Sequence, residues 1–338
     1  LGTICDVVPL TGENRTLARF GLSVMRKSRR LGLRALAEVA GVNLADVRAE
    51  DLGFRLGPRL NAAGRLEHAR HALRVLAADT LIDAKESAEY LQALNTQRQA
   101  DTKLIQESAR AQAIEHLDEP VLVLSDENWS HGIVGLVASR ISEEFKRPAI
   151  LLQRDGDIAK GSARSFAGIS MIEALQQQSD VFEKFGGHKV AAGMTLKVDA
   201  IPTLIEGLRA YMLELDDSVW TREERLDAWL QPEYTSLDGF AELERLEPTG
   251  QAHPSVRFVL DADVASLRPV GSEGLHYQLS LKDNSAGGHE YKVIAFGAAD
   301  RWPSLAVGDA IRAVVRLSRS TWQGVAHVEV VLMEILDA

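Results

Sequence analysis

The sequence predicts an α/β region followed by an all-β barrel, and three observations carry that reading. Past Pro120, short apolar runs such as VLVLS and AILLQ flank the amphipathic stretch GIVGLVASRISEEF, the strand–helix–strand order of a parallel βαβ unit. After about residue 255 the period changes. SVRFVLDADVASLRPV, LHYQLSLKD, YKVIAFGA, AIRAVVRLSRS and VAHVEVVLMEIL are strand-like runs separated by turn residues, which predicts a small closed barrel. Ahead of both, residues 82–117 contain no Gly or Pro, and Ala84, Ala88 and Leu91 share one helical face. They predict a single long connecting helix of roughly 50 Å.

The remaining elements follow in order. TICDVVPL is a β-branched, apolar run that stops at Pro9 and predicts a buried strand end carrying Asp6. Asn14 is placed to cap a helix through NRTLARFGLSVMRK, and LRALAEVAG predicts a second helix stopped by Gly41. The glycine- and arginine-rich segment 51–66 is expected to be irregular. Behind AILLQ come a strand at IAKGSARS, a helix at ISMIEALQQ, the segment FGGHKVAAG, a strand at MTLKV and a helix at IPTLIEGLRAYMLEL. The acidic linker DDSVWTREER ends this part near residue 220.

The 338 residues suffice for two or three domains. No stretch approaches the ~18 apolar residues of a membrane span, and no secretory signal is visible. Cys5 is the only cysteine, so no internal disulfide forms, which fits a reducing cytoplasm. The chain begins at Leu1 inside the expected strand, so an N-terminal part is expected to precede it. A net charge of −10 argues against nucleic acid when taken alone, but the charge is uneven: residues 1–117 sum to +3, 118–230 to −7 and 231–338 to −6. Within the first segment, Arg55, Arg59, Arg65, Arg70 and Arg74 face only Glu67, so a local basic groove can form on an acidic protein. A solvated arginine face is the competing reading.

Several motifs carry chemistry, each beside a plainer alternative. Asp6 at a strand end could bind Mg²⁺ or Mn²⁺, yet one carboxylate holds no metal pair and a capping role competes. GPRLNAAGR offers Arg59, Asn61 and Arg65, whose donors suit phosphate oxygens, against a structural turn with surface arginines. KGSARS places Lys160, Ser162 and Arg164 on one face of a strand, a phosphate clamp or a polar edge strand. FGGHKVAAG sets glycines and His188 before a helix-like run, which suits an anion. His188 could donate to phosphate, bind metal, act as acid or base, or be purely structural. Trp129 could stack on a base, but a buried anchor is the stronger reading.

Taken in order, LGTICDVVPL, FRLGPRLNAAGR, WSHGIVGLVASRI, KGSARS, FGGHKVAAG and LEPTGQAHPSVRF resemble the RecJ group of DHH-family phosphoesterases, and they span almost the whole chain. LGTICDVVPL resembles the family's fourth metal-binding motif, with Asp6 as its carboxylate. FGGHKVAAG resembles the signature of the DHH-associated domain. The resemblance implies the end of a DHH domain (1–81), a connecting helix (82–117), a DHH-associated substrate-binding domain (118–220) and an OB-fold barrel (221–338). It implies a single-strand-specific 5′→3′ DNA exonuclease of repair and recombination, with Mn²⁺ or Mg²⁺ in a two-metal site. His188 would be catalytic, and Arg59, Asn61, Arg65, Ser162, Arg164, Ser165, Gly186 and Gly187 would hold the substrate. The implied partners are single-stranded DNA with a 5′ end and a single-strand-binding protein or helicase.

Three departures qualify the resemblance. The chain has no Asp-His-His triplet and no Asp-x-Asp before Asp6, so the family's first three metal motifs would lie upstream of Leu1. The chain alone is therefore expected to be inactive. Ala163 stands where the family has glycine, and His131 sits one place later than the usual Trp-His, so it takes no role. The alternatives are another DHH-type oligonucleotide phosphoesterase, which the barrel disfavours, and a non-catalytic nucleic-acid-binding module.

Overall fold

The computed structural model of the chain describes residues 1–223, 225–271, 273–285, 287–322 and 325–336. It divides into two compact units, Met25–Glu223, and Leu1–Val24 with Glu224–Ala338. The first part of the chain is helical: α1 (Gly2–Cys5), α2 (Gly12–Arg26), α3 (Leu31–Val39), α4 (Ala49–Asp51), α5 (Gly57–Leu66), α6 (Arg70–Ala77) and the 34-residue α7 (Leu81–Ile114).

Three expectations are corrected here. The opening run is α1, not a strand: the amides of Ile4, Cys5 and Asp6 donate to the Leu1 and Gly2 carbonyls. No described strand lies beside it to satisfy those groups, and a helical turn does so locally. Asp6 is consequently an exposed C-cap residue of a four-residue helix rather than the end of a strand. Asn14 lies inside α2 instead of capping it, with its amide donating to the Pro9 carbonyl at 3.2 Å. Residues 52–66 are ordered helix, a π-type turn at Leu52–Leu56 leading into α5 with Pro58 in the first turn. Leu52, Leu56, Ala62 and Ala63 are buried, and Arg55 donates to the Ala40 and Gly41 carbonyls. Burial of that stripe overrides the poor helix propensity of Gly57 and Gly64.

The long helix is capped by Thr80, whose hydroxyl accepts from the Asp83 amide at 3.2 Å. Ala84, Ala88, Ala109 and Ala113 are fully buried along it. Such small residues let α3 and α8 (His131–Phe145) pack closely on α7.

The five-stranded sheet contains β1 (Leu122–Asp126), β2 (Ala149–Asp155), β3 (Ile158–Arg164), β4 (Phe182–Gly187) and β5 (Ala191–Lys197), in the order β1-β2-β3-β5-β4. Only β1 and β2 are parallel, joined through α8 as the βαβ pattern predicts. One face packs Ile150, Leu152, Ala159, Ala163, Met194 and Leu196 beneath α9 (Met171–Gln176) and α10 (Ile201–Leu213). The other packs Leu122, Leu124, Ala149 and Leu151 beneath α7 and α8. FGGHKVAAG is the β4–β5 hairpin and not the lead into a helix. Ala192, Met194 and Leu196 alternate into the core at the period of two that a strand requires.

The second unit holds a short β6 (Ala228–Trp229), α11 (Leu237–Glu244), β7 (Phe258–Val270), β8 (His276–Asp283), β9 (Glu290–Ala295), α12 (Ala298–Arg301), β10 (Ala310–Trp322) and β11 (Val325–Leu336). The order β7-β8-β9-β11-β10 closes through β10–β7 pairing into the expected five-stranded barrel, an OB fold. Phe258, Leu260, Leu281, Val293, Val315 and Leu332 fill it. Among the described residues no helix is long and apolar enough to cross a membrane.

Candidate nucleic-acid interface

The polar side chains of the sheet unit converge where α5, α7 and α8 meet β3. Ser162 and Arg164 sit two apart on β3, on the face turned toward α8, as the strand period predicts. Helix α8 comes so close there because its facing residues are glycines. A Cβ built at Gly135 would lie 2.9 Å from Arg164 Nη2 and 3.1 Å from Ser162 Oγ. At Gly132 a Cβ would lie 2.1 Å from the Arg65 carbonyl oxygen. Arg65 closes the same contact by donating from Nη1 to the Gly132 carbonyl at 3.1 Å. Arg164 donates from Nε to Ser139 Oγ at 3.0 Å and from Nη1 to the Ala163 carbonyl at 2.8 Å.

Two further arginines, which the sequence did not single out, complete the cluster. Arg98 on α7 donates to Asn95 Oδ1 at 3.0 Å, and its Nε is buried with no partner among the described residues. Arg140 on α8 donates to Gln106 Oε1 at 2.6 Å. Every hydrogen-bond acceptor that the described residues give Arg65, Arg98, Arg140 and Arg164 is neutral. Burial lowers the Arg164 guanidinium pKa, and the charge of Arg65 lowers it further. Burial lowers that of Arg98 as well, with Arg65 and Arg140 adding to the effect, and burial alone lowers Arg65. The site therefore holds half-buried positive charges that repel one another and lack a carboxylate, and an anion relieves both penalties. A sequence signal for Arg98 did exist. Asn95 and Thr102 are polar residues on the buried stripe of α7, 2% and 1% exposed, and Arg98 lies between them with its carbonyl accepting from Thr102 Oγ1.

The other expected site residues are placed less uniformly. Arg59 is tied elsewhere, donating from Nε to Gln92 Oε1 at 2.7 Å and from Nη1 to the Arg55 carbonyl at 2.6 Å. Asn61 is exposed on α5. The Ser165 hydroxyl points inward to the Ile169 carbonyl, while its amide donates to Val190. His188 is exposed at the hairpin turn, and its amide donates to the Ala191 carbonyl at 2.8 Å. Ala191 pairs in register with Arg164, so the turn is next to the arginine site along the sheet edge. Gly187 is required by that turn: its φ is +154°, and a Cβ would meet the Ala191 carbonyl oxygen at 2.4 Å. Trp129 is the buried anchor, 3% exposed, with Nε1 donating to Ser108 Oγ.

Gly135→Ala should leave stability within about 1 kcal/mol of the parent, since the clashing atoms are ends of flexible side chains and alanine favours the helix. It should weaken anion binding roughly 10-fold by displacing Arg164, measured by fluorescence anisotropy alongside a thermal melt.

Metal ligands are another matter. Among the described residues no group of three or more His, Cys, Asp or Glu side chains could hold an ion. Asp6 stands as a single exposed carboxylate in the unit that carries the barrel, so the described residues do not make a metal centre. Four arginines of the unit that carries the barrel differ from the cluster: Arg245, Arg301, Arg312 and Arg319 are each paired with a carboxylate.

Residues 118–214 match the DHHA1 domain model, and residues 226–334 match the RecJ OB domain model. The single-stranded-DNA-specific exonuclease RecJ of Bacillus subtilis is 33% identical over 331 residues, covering 95% of this chain and 41% of its own length. Crystal structures of RecJ from Thermus thermophilus in complex with Mg²⁺ and with Mn²⁺ superpose over 100% of this chain, with TM-scores of 0.83 and 0.85 and identities of 32% and 33%. The chain covers 51% and 48% of the chains in those two structures and so spans about half the length of the relatives it matches. With the helical, sheet and barrel regions all matched in order, the chain belongs to the RecJ family, of which it carries the DHHA1 and OB domains.

Proposed function

We propose that this chain is the substrate-holding portion of a metal-dependent, single-stranded-DNA-specific 5′→3′ exonuclease of DNA repair and recombination. One observation carries the reading: Arg98 and Arg164 both feel the charge of Arg65, all three have neutral partners only, Arg98 Nε is buried and orphaned, and Ser162 stands beside Arg164. A terminal 5′-phosphate, a dianion with three acceptor oxygens, supplies the missing counter-charge and matches the guanidinium forks. Ser162 Oγ adds a hydroxyl donor, and the imidazole of His188 reaches the adjoining phosphodiester from the hairpin turn. Arg59, tied to Gln92 and the Arg55 carbonyl, and Ser165, bonded to the Ile169 carbonyl, are given no phosphate contact; Gly187 shapes the turn that carries His188.

Divalent metal, present as Mg²⁺ or Mn²⁺ in the Thermus relatives, would supply an activated water in the whole protein. Asp6 is proposed as one ligand; because the described residues make no complete set, no step of the reaction is assigned to them. What the cluster does is bind and orient: it fixes the 5′ end so that the first phosphodiester stands at a set distance from the terminal phosphate.

End-group preference tests this reading. The chain should bind a 5′-phosphorylated single strand at least about 10-fold more tightly than the same strand with a 5′-hydroxyl, by anisotropy at fixed salt. Equal affinities for the two ends would remove the terminal-phosphate assignment.

A further inference from the structure

At one end of the barrel β7 and β9 begin and β8 stops, and the inner side chains there are no longer purely apolar. Ala262, Leu281 and Tyr291 belong to the barrel core, and register pairs Leu281 with Tyr291 and Ala262 with Asp283. Asp283 lies two residues beyond Leu281 on β8, so its side chain projects to the same inner side. Its amide donates to the His289 carbonyl at 2.9 Å, and the His289 ring stands 4.6 Å from the Tyr291 ring, centroid to centroid. Tyr234, in the turn Pro232–Thr235, packs on Phe258 at the start of β7 with centroids 5.5 Å apart, which brings its neighbour Glu233 to this end as well.

The group at the centre is unsatisfied. Tyr291 is 2% exposed, and its hydroxyl is buried with no hydrogen-bond partner among the described residues, which is a costly arrangement. Burial pushes the phenol up to about 12, and the charges of Asp283 and Glu233 add to the shift, so a neutral hydroxyl faces two carboxylates without bonding to either. Those carboxylates lack a counter-charge too. Among the described residues no Lys, Arg or His pairs with Asp283 or Glu233, whereas Asp261, Glu242, Glu244 and Glu334 of the same unit each hold an arginine. The Ser285 amide donates to Asp283 Oδ1 at 2.7 Å, and Oδ2 receives no donor from the described residues. Glu233 is exposed and Asp283 half-buried, so this end is reached from solvent, and residues 231–338 sum to −6, which draws cations.

We infer that this end of the barrel binds a primary ammonium group on an alkyl chain, that of a lysine side chain or a polyamine, which donates to Asp283 Oδ2, to the Glu233 carboxylate and to the Tyr291 phenol oxygen. An ammonium has three donors and no acceptor, and the site offers three acceptors on three separate elements. A guanidinium fork is matched by one carboxylate presenting both oxygens, as Asp261 does to Arg312, and Asp283 has one oxygen already taken. A metal ion suits the end less well, because the described residues hold no group of three His, Cys, Asp or Glu side chains that could ligate one. The site is the converse of the arginine cluster: there positive charges lack an anion, and here two carboxylates and a buried phenol lack a cation.

The test titrates the full chain with spermidine, with a tetralysine peptide and with the same peptide acetylated at every amine, read by calorimetry at fixed salt. At least one of the two free amines should bind, and the acetylated peptide should not. Binding of spermidine alone makes the ligand a free polyamine, binding of the peptide alone makes it a basic protein segment, and either supports the site. Asp283→Asn keeps an oxygen to accept from the Ser285 amide and should weaken the amine at least about 10-fold. Tyr291→Phe should weaken it about 5-fold while raising the melting temperature of the unliganded chain, because a buried hydroxyl without a partner is removed. Asp300→Asn, on α12 past the far end of β9, takes away an equal charge elsewhere on the unit and should leave binding unchanged. Equal losses in Asp283→Asn and Asp300→Asn would mean diffuse attraction and overturn the inference. So would an Asp283→Asn chain that binds the amine as the parent does, or failure of both free amines to bind. A response to Mg²⁺ that Asp283→Asn abolishes, with none to either amine, would assign this end to a metal instead.

Discussion

Arg164→Ala is expected to lower affinity for a 5′-phosphorylated single strand by roughly 30- to 150-fold. The reasoning starts from its surroundings. Arg164 is half-buried against Gly135 of α8, Ser139 holds its Nε, and Arg65 adds like charge. A charge-assisted hydrogen bond made in such a site is worth about 2 to 3 kcal/mol, and that energy converts to the stated change in Kd. Arg164→Lys should recover only part of the loss, because a point charge replaces a fork. The same alanine variant removes one of several mutually repelling charges, so the unliganded chain should lose little stability beyond the Ser139 bond. The stabilisation that a phosphorylated strand gives the parent in a thermal melt should shrink in step with affinity. Unchanged binding in anisotropy would show that Arg164 does not meet the phosphate.

Gly132→Ala should be the most destabilising single-methyl substitution in the sheet unit's helix α8. A Cβ there would sit 2.1 Å from the Arg65 carbonyl oxygen, which is backbone and cannot swing aside. Separating α5 from α8 costs about 3 kcal/mol as overpacking, a fall of roughly 6 to 12 °C for a unit of this size. Gly135→Ala is the control three residues along the same helix. Both substitutions gain the same helix propensity, so the difference between their melts isolates the backbone clash. Equal melting temperatures for the two would mean that α5 and α8 do not approach as described.

Much of the architecture was legible in the sequence because the signals are local. Period two in IAKGSARS and in the five barrel runs, and period 3.6 in GIVGLVASRISEEF, follow from backbone geometry and placed β3, the barrel and α8. The pairing of Ser162 with Arg164 came from the same rule. The misread segments had weak or conflicting local signals. TICDVVPL is apolar and β-branched, yet no strand among the described residues lies beside it, and its amides close a helical turn. Residues 51–66 contain three glycines and a proline, and they are helical because Leu52, Leu56, Ala62 and Ala63 are buried. FGGHKVAAG reads equally as a loop before a helix or as a hairpin, and register with β3 decides for the hairpin.

The sequence by itself determined the family resemblance, the order of elements, and the candidates Arg65, Ser162 and Arg164, because each rests on residue type and spacing along the chain. Only the tertiary structure decided that Arg98 and Arg140 join them, that Arg59 turns away to Gln92, and that Gly132 and Gly187 serve packing while Gly186 and Gly193 face open space. The physical reason is distance: whether a charge is neutralised, or a glycine is crowded, depends on groups brought near by folding, and nothing in local spacing encodes their approach.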